Sequence, residues 1–426
     1  MSEKKQIMYN YTGDDHRRRL LNLRYIEKNL DSCGKKNFVT DYRPGHYVYK
    51  KNTPQTEAED RELFKMLSDA GVEILQLWSG FCGFNWGGDV MYRPAEPEKA
   101  REFIKLAHEY GLKVLPYTST NFFTRQDESF NPDWAFIEDY DLHMRNHKFT
   151  LAHCSPTSPL WREHLLKQFT GLLDEYDFDG LYIDSGYIRR RDFMTFDRYY
   201  FREPELVKDD VLAFEESESF DGGMQDLLAL IYSEVKKRGG ILKFHKEGQD
   251  TVYTDLKVYD YLWVGEANKD IDFIRDSVRD FAPYVTPDYN YEIEDEHERY
   301  LNTIPFMQFP IVRDGTMGIE SPLAARPNFD LALRWLKLYK EMTQEGTWCY
   351  CDAKAEDIVT HTGRNVVTSF FVNLDTYLIV ANYDKKDASV TLEDKYVEVS
   401  PDGEGNVFEG TFTLPKRRMV ILKKII

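Results

Sequence analysis

The chain has 426 residues, of which 42% are apolar and 15% are aromatic, enough for one large hydrophobic core and a smaller one. Its formal net charge is -18, and the acidic residues are spread along the chain. This charge excludes nucleic acid, anionic membranes and polyanionic substrates as expected partners and favours a neutral ligand.

The N-terminal region lacks the apolar segment of a secretory signal, and the chain has no run of about 18 apolar residues. We therefore expect a soluble, cytoplasmic protein without a membrane partner. Its five cysteines are an odd number without zinc-type spacing, which fits reduced thiols. We expect no cofactor and no structural metal, and the oligomeric state stays open.

Helices and short apolar strands alternate along the chain after a polar lead-in that contains one predicted helix at 16–30. Ala100, Phe103, Ile104 and Ala107 have helical spacing, and Gly111 ends this helix before an apolar run. The unit recurs, which predicts a parallel sheet. The predicted strands are 37–43, 72–78, 113–119, 180–185, 241–247, 259–266, 284–290 and 304–310, and further predicted helices are 59–71, 158–178, 223–237 and 328–342.

Eight βα units in about 310 residues have the size of a TIM barrel, whose active site lies at the carboxyl ends of the strands. A doubly wound sheet is the alternative, but it usually carries a Gly-rich phosphate loop, and neither GxGxxG nor GxxxxGK[ST] occurs here. From about residue 355 short β-rich runs replace the helices. The predicted fold class is α/β: a lead-in segment (1–36), a (β/α)8 barrel (37–352) and a C-terminal antiparallel β-sandwich (355–426).

The residues at the predicted strand ends and in the loops beyond them are rich in carboxylates and aromatic rings and poor in Lys and Arg. Such a set suits a sugar, because aromatic rings cover the C–H faces while acids and amides bind the hydroxyls. We therefore expect a carbohydrate substrate. The candidate contacts are Asp41, Trp78, Trp86, Tyr117, Asn121, His153, Tyr187, Lys243, His245, Glu247 and Asp270.

Two carboxylates are candidates for the cleavage of an acetal. Glycoside hydrolysis needs one carboxyl that protonates the leaving oxygen and one that attacks the sugar or activates water, in different environments. Asp184 ends the marked strand in 178-FDGLYIDSGY-187 and is the candidate nucleophile, although an Asp after a strand is often a turn residue or helix cap. Glu266 follows Trp263 in an apolar setting that favours its protonated form and is the candidate acid.

A resemblance to a known family rests on GVEILQLW, GLKVLPYTS, DFDGLYIDSGY, ILKFHKEG and YLWVGEANKD, followed by a small β-domain. This order resembles (β/α)8-barrel glycoside hydrolases, nearest to the α-galactosidase clan and the wider α-amylase-like superfamily, over about residues 37–426. The resemblance implies a retaining α-glycosidase with Asp184 as the nucleophile. Its acid/base then corresponds to Glu266, with Asp270 close behind, in the α-galactosidase pattern, and to Glu247 in the amylase pattern.

The sequence departs from both families at Tyr182, where they have Lys or Arg two residues before the nucleophile. The positive partner then has to come from elsewhere, with Lys243 as the candidate. Two other functions stay open: a metal-dependent sugar isomerase or enolase-like enzyme with His245 and carboxylates as ligands, and a carbohydrate-binding barrel without turnover. Carboxyl groups about 5 Å apart would indicate retention, and a separation beyond about 6.5 Å inversion.

Overall fold

The structure is a computed structural model that describes residues 13–30, 35–38, 45–49, 57–77, 92–94, 96–120, 122–124, 127–134, 151–184, 221–246, 258–264, 285–287, 300–312, 322–343, 347–351 and 358–425. The helices of these residues are α1 (Gly13–Leu30), α2 (Glu57–Ala70), α3 (Pro97–Glu109), α4 (Pro159–Tyr176), α5 (Asp221–Lys237) and α6 (Pro322–Thr343). None of them is long and apolar enough to cross a membrane.

The described strands fall into a parallel group and a largely C-terminal antiparallel group. The first group, together with a short antiparallel pair of β6 with β7, comprises β2 (Gly45–Tyr49), β3 (Val72–Leu77), β4 (Lys113–Leu115), β5 (Tyr117–Ser119), β6 (Phe122–Thr124), β7 (Leu151–His153), β8 (Gly180–Asp184), β9 (Ile241–Lys246), β10 (Tyr261–Val264) and β11 (Val285–Pro287). The antiparallel group comprises β1 (Lys35–Phe38), β12 (Thr347–Cys351), β13 (Val359–His361), β14 (Val366–Val372), β15 (Thr376–Asn382), β16 (Ala388–Ser400), β17 (Gly403–Leu414) and β18 (Arg418–Lys424).

The parallel strands follow the order of the chain. Strands β2, β3 and β4 pair in parallel, and β5, β8, β9, β10 and β11 pair in that order. Strands β4 and β5 are two halves of one extended segment, interrupted at Pro116, whose backbone has no N–H to donate. The N–H of Tyr182 donates to the Pro116 carbonyl (3.0 Å), and that of Asp179 to the Val114 carbonyl (3.1 Å), so β8 lies along both halves.

One more parallel contact lies beyond β2. The N–H of Val312 donates to the His46 carbonyl (2.7 Å), and the N–H of Val48 donates to the Val312 carbonyl (3.0 Å). The parallel order therefore runs from Val312 through β2 to β11. Among the described residues no pair joins β11 to the segment around Val312, so they do not show the closed eight-stranded barrel, which stays a prediction.

Two predicted strands differ from the structure. Residues 37 and 38 of the predicted strand 37–43 pair antiparallel with β12 as part of Lys35–Phe38, residues 39–43 lie outside the description, and the first parallel strand described is Gly45–Tyr49. Asp41, expected at the end of the first strand, precedes that strand. The segment 304–310 begins as a 3-10 helix, Ile304–Phe306, and its prolines cannot donate to a sheet.

The helix before β8 shows why the strand begins where it does. The Ser158 hydroxyl caps α4 by accepting the N–H of Trp161 (3.3 Å), and Pro159 occupies the first turn. The buried side chains of Trp161 and Leu165 hold α4 against the core. Asp177 then adopts a left-handed conformation (φ 63°), which ends the helix and redirects the chain into β8.

The antiparallel sheet has the order β1-β12-β14-β15-β18-β16-β13 within the described residues, and β17 pairs with β16. Side chains of β14 alternate between two cores: Val367 and Phe371 belong to the core of the parallel strands, whereas Val366 and Phe370 belong to a second cluster. Burial on both faces fits the predicted sandwich-like domain. Strands β1 and β12 join this sheet although both precede the boundary predicted near residue 355.

Candidate active site

Asp184, the last residue of β8, lies where three neighbouring parallel strands bring polar side chains together. Its side chain is 25% exposed, whereas the rest of β8 is buried. The Tyr117 hydroxyl donates a hydrogen bond to one carboxylate oxygen (Oδ2), and Nδ1 of His245 lies 2.6 Å from the other (Oδ1). The result is a carboxylate that solvent reaches and that is held at both oxygens.

The register of the strands explains this meeting. Tyr182 pairs with Tyr117 of β5 on one side and with Lys243 of β9 on the other. Because side chains alternate along a strand, Tyr182 and Asp184 point to one face of the sheet, while Ile183 points to the opposite, apolar face. The same alternation places Lys243 and His245 on the face of Asp184.

His245 is enclosed by aromatic rings. Its own ring is 1% exposed and stacks on Trp263 with centroids 4.3 Å apart and an interplanar angle of 21°. The Tyr182 hydroxyl lies 3.3 Å from the same Nδ1 atom that contacts Asp184. Such burial leaves His245 almost no surface for a substrate to contact.

Lys243 is a buried cation in the same face of the sheet. Its Nζ atom lies 3.3 Å from Nδ1 of His46 and 5.9 Å from the centre of the Trp263 ring. Burial, together with the Lys243 charge, lowers the pKa of His46 well below its usual value, so neutral His46 accepts a hydrogen bond from Lys243. Because Lys243 is fully buried, its charge acts on neighbouring groups inside the protein and is not presented at the surface.

Most of the other predicted site residues fall outside the part of the chain that the structure describes. His153 belongs to β7, which pairs with β6, but its side chain is not among those described. Glu266 follows β10 by two residues. The predicted site residues outside the description are Asp41, Trp78, Trp86, Asn121, Tyr187, Glu247, Glu266 and Asp270.

Sequence reasoning missed His46 and Tyr182 as members of this cluster. His46 was missed because the first strand was expected at 37–43 instead of Gly45–Tyr49. Tyr182 stood out only as a departure from Lys or Arg, although its place two residues before Asp184 puts it on the same face. Within the described residues no group of three or more His, Cys, Asp or Glu side chains comes together as a metal site.

Comparison with known proteins shows which solved structures share the fold of this chain. A family model described as a domain of unknown function, DUF6259, matches residues 40–199. No curated protein matches the chain. A crystal structure of an α-amylase from Lactobacillus plantarum is similar with a TM-score of 0.60 and 11% sequence identity, over 90% of this chain and 99% of that one.

Two further solved structures point the same way. A noncanonic maltogenic α-amylase, AmyB from Thermotoga neapolitana, has a TM-score of 0.55 and 11% identity over 90% of this chain and 99% of that one. The GH36 α-galactosidase AgaA from Geobacillus stearothermophilus has a TM-score of 0.56 and 11% identity over 90% of this chain, which spans 56% of that enzyme. At such identities the similarity establishes a shared fold, that of α-amylases and an α-galactosidase.

Proposed function

We propose that the protein is a glycoside hydrolase that cleaves an α-linked, neutral glycoside or oligosaccharide. The observation that carries the proposal is the Asp184 carboxylate, partly open to solvent at the end of a parallel strand and held by Tyr117 and His245. The fold shared with α-glycosidases supports this class of reaction. The net charge of -18 favours a neutral over an anionic substrate.

The proposal includes a closed (β/α)8 barrel. Its support is that side chains from the two parallel sheets meet: His46 of β2 contacts Lys243 of β9, and its ring lies 4.7 Å from that of Tyr261 on β10. Strands this far apart in the parallel order approach each other when the sheet curls round. In a closed barrel the carboxyl ends of all strands surround one pocket, which would bring β8 and β10 to the same mouth.

The proposed mechanism uses Asp184 as the nucleophile and Glu266 as the acid/base. The Asp184 carboxylate attacks the anomeric carbon while Glu266 gives its proton to the leaving glycosidic oxygen, and a glycosyl ester forms on Asp184. Glu266 then takes a proton from a water molecule whose oxygen attacks the anomeric carbon, the bond from that carbon to Asp184 breaks, and a sugar of retained configuration leaves with the Asp184 carboxylate restored. Glu247 and Asp270 are the alternatives for the acid/base.

The proposed substrate contacts come from the loops around this mouth. Aromatic rings would stack on the sugar and polar groups would bind its hydroxyls. The proposed contacts are Trp78, Trp86, Asn121, His153, Tyr187, Glu247 and Asp270, whereas Asp41 is left out because it precedes the first parallel strand.

The test replaces the nucleophile. Asp184→Asn should lower turnover of aryl α-glycosides by on the order of a thousandfold or more, because an amide cannot attack the anomeric carbon. Asp226→Asn, the same change at an exposed position of α5, is the control and should keep full activity. Near-normal turnover by Asp184→Asn would show that Asp184 is not the nucleophile.

The acid/base role is tested separately. Glu266→Gln should lose activity on poor leaving groups, while azide or an activated aryl leaving group restores it, because only the protonation step is lost. Full activity of this variant would move the role to Glu247 or Asp270. Activity that disappears in EDTA would instead favour the metal-dependent alternative.

A further inference from the structure

We infer that His245 is a positioning residue for Asp184: it donates its Nδ1–H to one oxygen of the carboxylate and so orients that carboxylate for attack. The inference rests on the proposed role of Asp184 as the nucleophile. It replaces the direct contact with substrate that the sequence suggested for His245.

The proton on His245 follows from the chemistry of its partner. An ionised carboxylate can only accept hydrogen bonds, and Nδ1 of His245 lies 2.6 Å from Oδ1 of Asp184. Nδ1 must therefore carry the proton of this contact, whichever charge the ring has.

The two donors to Asp184 come from opposite sides of β8. Tyr117 on β5 donates to Oδ2, and His245 on β9 donates to Oδ1. Two donors on different oxygens fix the plane of the carboxylate, which a single donor would leave free to turn about its last side-chain bond. A fixed plane matters because a misplacement of about 1 Å at a reacting group can cost about a hundredfold in rate.

His245 is itself held so that it can act as a fixed donor. It pairs directly with Trp263 across β9 and β10, and the two rings stack at 4.3 Å. Both rings are almost fully buried, so the imidazole has no room to turn away. Because β10 also leads to Glu266, the contact of His245 with Asp184 and the stack on Trp263 together link β8, through β9, to the strand that precedes the proposed acid.

The kinetic test uses amide replacements that differ only in where they place a donor. The amide nitrogen of Asn reaches the position of Nδ1, whereas that of Gln reaches the position of Nε2. His245→Ala and His245→Gln should lower kcat by about tenfold to a hundredfold with KM nearly unchanged, and His245→Asn should restore most of kcat. His164→Asn is the control: His164 on α4 also lies against an indole ring (Trp134, 4.2 Å) and is not one of the residues that hold Asp184, so this variant should leave kcat unchanged.

A second readout does not depend on turnover. Nitrogen NMR of histidine-labelled protein should show His245 protonated at Nδ1 in the wild type. In Asp184→Ala the proton should no longer prefer Nδ1 over Nε2, because its acceptor is gone. An unprotonated Nδ1 in the wild type would overturn the inference, and so would a rise in KM at constant kcat in His245→Ala, which indicates a substrate contact. If the wild type hydrolyses no glycoside, the proposed function fails, and the NMR result still decides the contact between His245 and Asp184.

Discussion

Individual histidines in this protein differ in charge because their partners differ. His46 faces the buried ammonium of Lys243, and its pKa is lowered by burial first and by that charge second. His108 faces a carboxylate instead: its Nε2 lies 2.8 Å from Oδ2 of Asp179, and this hydrogen bond raises the pKa of His108. Asp179 also accepts the N–H of Val114 (2.8 Å), so the pair joins α3 and β4 to the turn before β8.

The His108 pair predicts a pH-dependent stability. Because the folded state holds the proton more tightly than the unfolded state, the stabilisation is complete below the unfolded pKa of about 6.5 and is lost as the pH rises through the higher folded pKa. His108→Gln keeps a donor near Asp179 but cannot become charged. We expect the wild type to exceed this variant in free energy of unfolding at about pH 5.5 and to lose that advantage at about pH 9.

Urea unfolding at the two pH values measures the difference, with the slope of the transition as a check that the same surface unfolds. The His164→Asn variant serves as a contrast: burial lowers the pKa of His164, so the difference between wild type and this variant should change with pH in the opposite direction. An equal difference between wild type and His108→Gln at both pH values would contradict the proposed ion pair.

At the scale of elements, the approach of β8 to β9 determines whether Asp184 meets His245. Gly180 makes this approach possible, because a Cβ atom at that position would lie 1.9 Å from the carbonyl oxygen of Ile241. The same residues are register partners at the start of the two strands. A glycine here is therefore required by the contact between the strands.

Gly180→Ala is expected to destabilise the protein by about 2 kcal/mol or more, since the added methyl group forces the two backbones apart. Activity should fall with it, because the contact between Asp184 and His245 spans the same pair of strands. Gly222→Ala in α5 is the matched control: nothing lies within 4 Å of its Cβ position, and alanine in a helix should add up to about 1 kcal/mol. Denaturant unfolding measures the free energy of unfolding of both variants. Equal values for Gly180→Ala and Gly222→Ala would contradict the steric argument.

At the scale of the whole molecule, the antiparallel sheet and the parallel strands share one core. Phe371 and Ile379 on one face of the sheet belong to the same buried cluster as Tyr182 of β8. In addition, the Tyr383 hydroxyl donates to the carbonyl of Leu301, and β1 from the N-terminal part pairs with β12. The sheet is thus attached to the parallel strands by side chains, and β1 ties the N-terminal part of the chain into the sheet.

We therefore predict that the protein unfolds in one cooperative transition, because neither part can open without exposing the shared core. Calorimetry should give a single peak, and Phe371→Ala should lower its midpoint while costing about 3–5 kcal/mol. The isolated segment 355–426, which lacks β1 and β12, should show no sharp transition. A separate folding transition for that segment would contradict the prediction.

Parts of the fold were accessible from sequence because their signals are local. Strand β8 was placed almost to the residue, since a predicted helix precedes it and a glycine marks its start. Strands β3, β5, β9 and β10 also lie where the pattern predicted them. The first strand was misplaced because 37–43 and Gly45–Tyr49 both combine Val with aromatic residues, and only the pairing of Lys35–Phe38 with β12 and of Gly45–Tyr49 with β3 distinguishes them.

The sequence by itself determined the alternation of helices and parallel strands, the change to β structure near residue 355, and Asp184 as the carboxylate that ends a buried strand. These features follow from periodicity, capping and turn chemistry, which act between residues close in the chain. Only the tertiary structure decided that Tyr117 and His245 hold Asp184 and that Lys243 is paired with His46. These contacts join residues 61 to 197 positions apart, and strand register, which local sequence does not encode, brings them together.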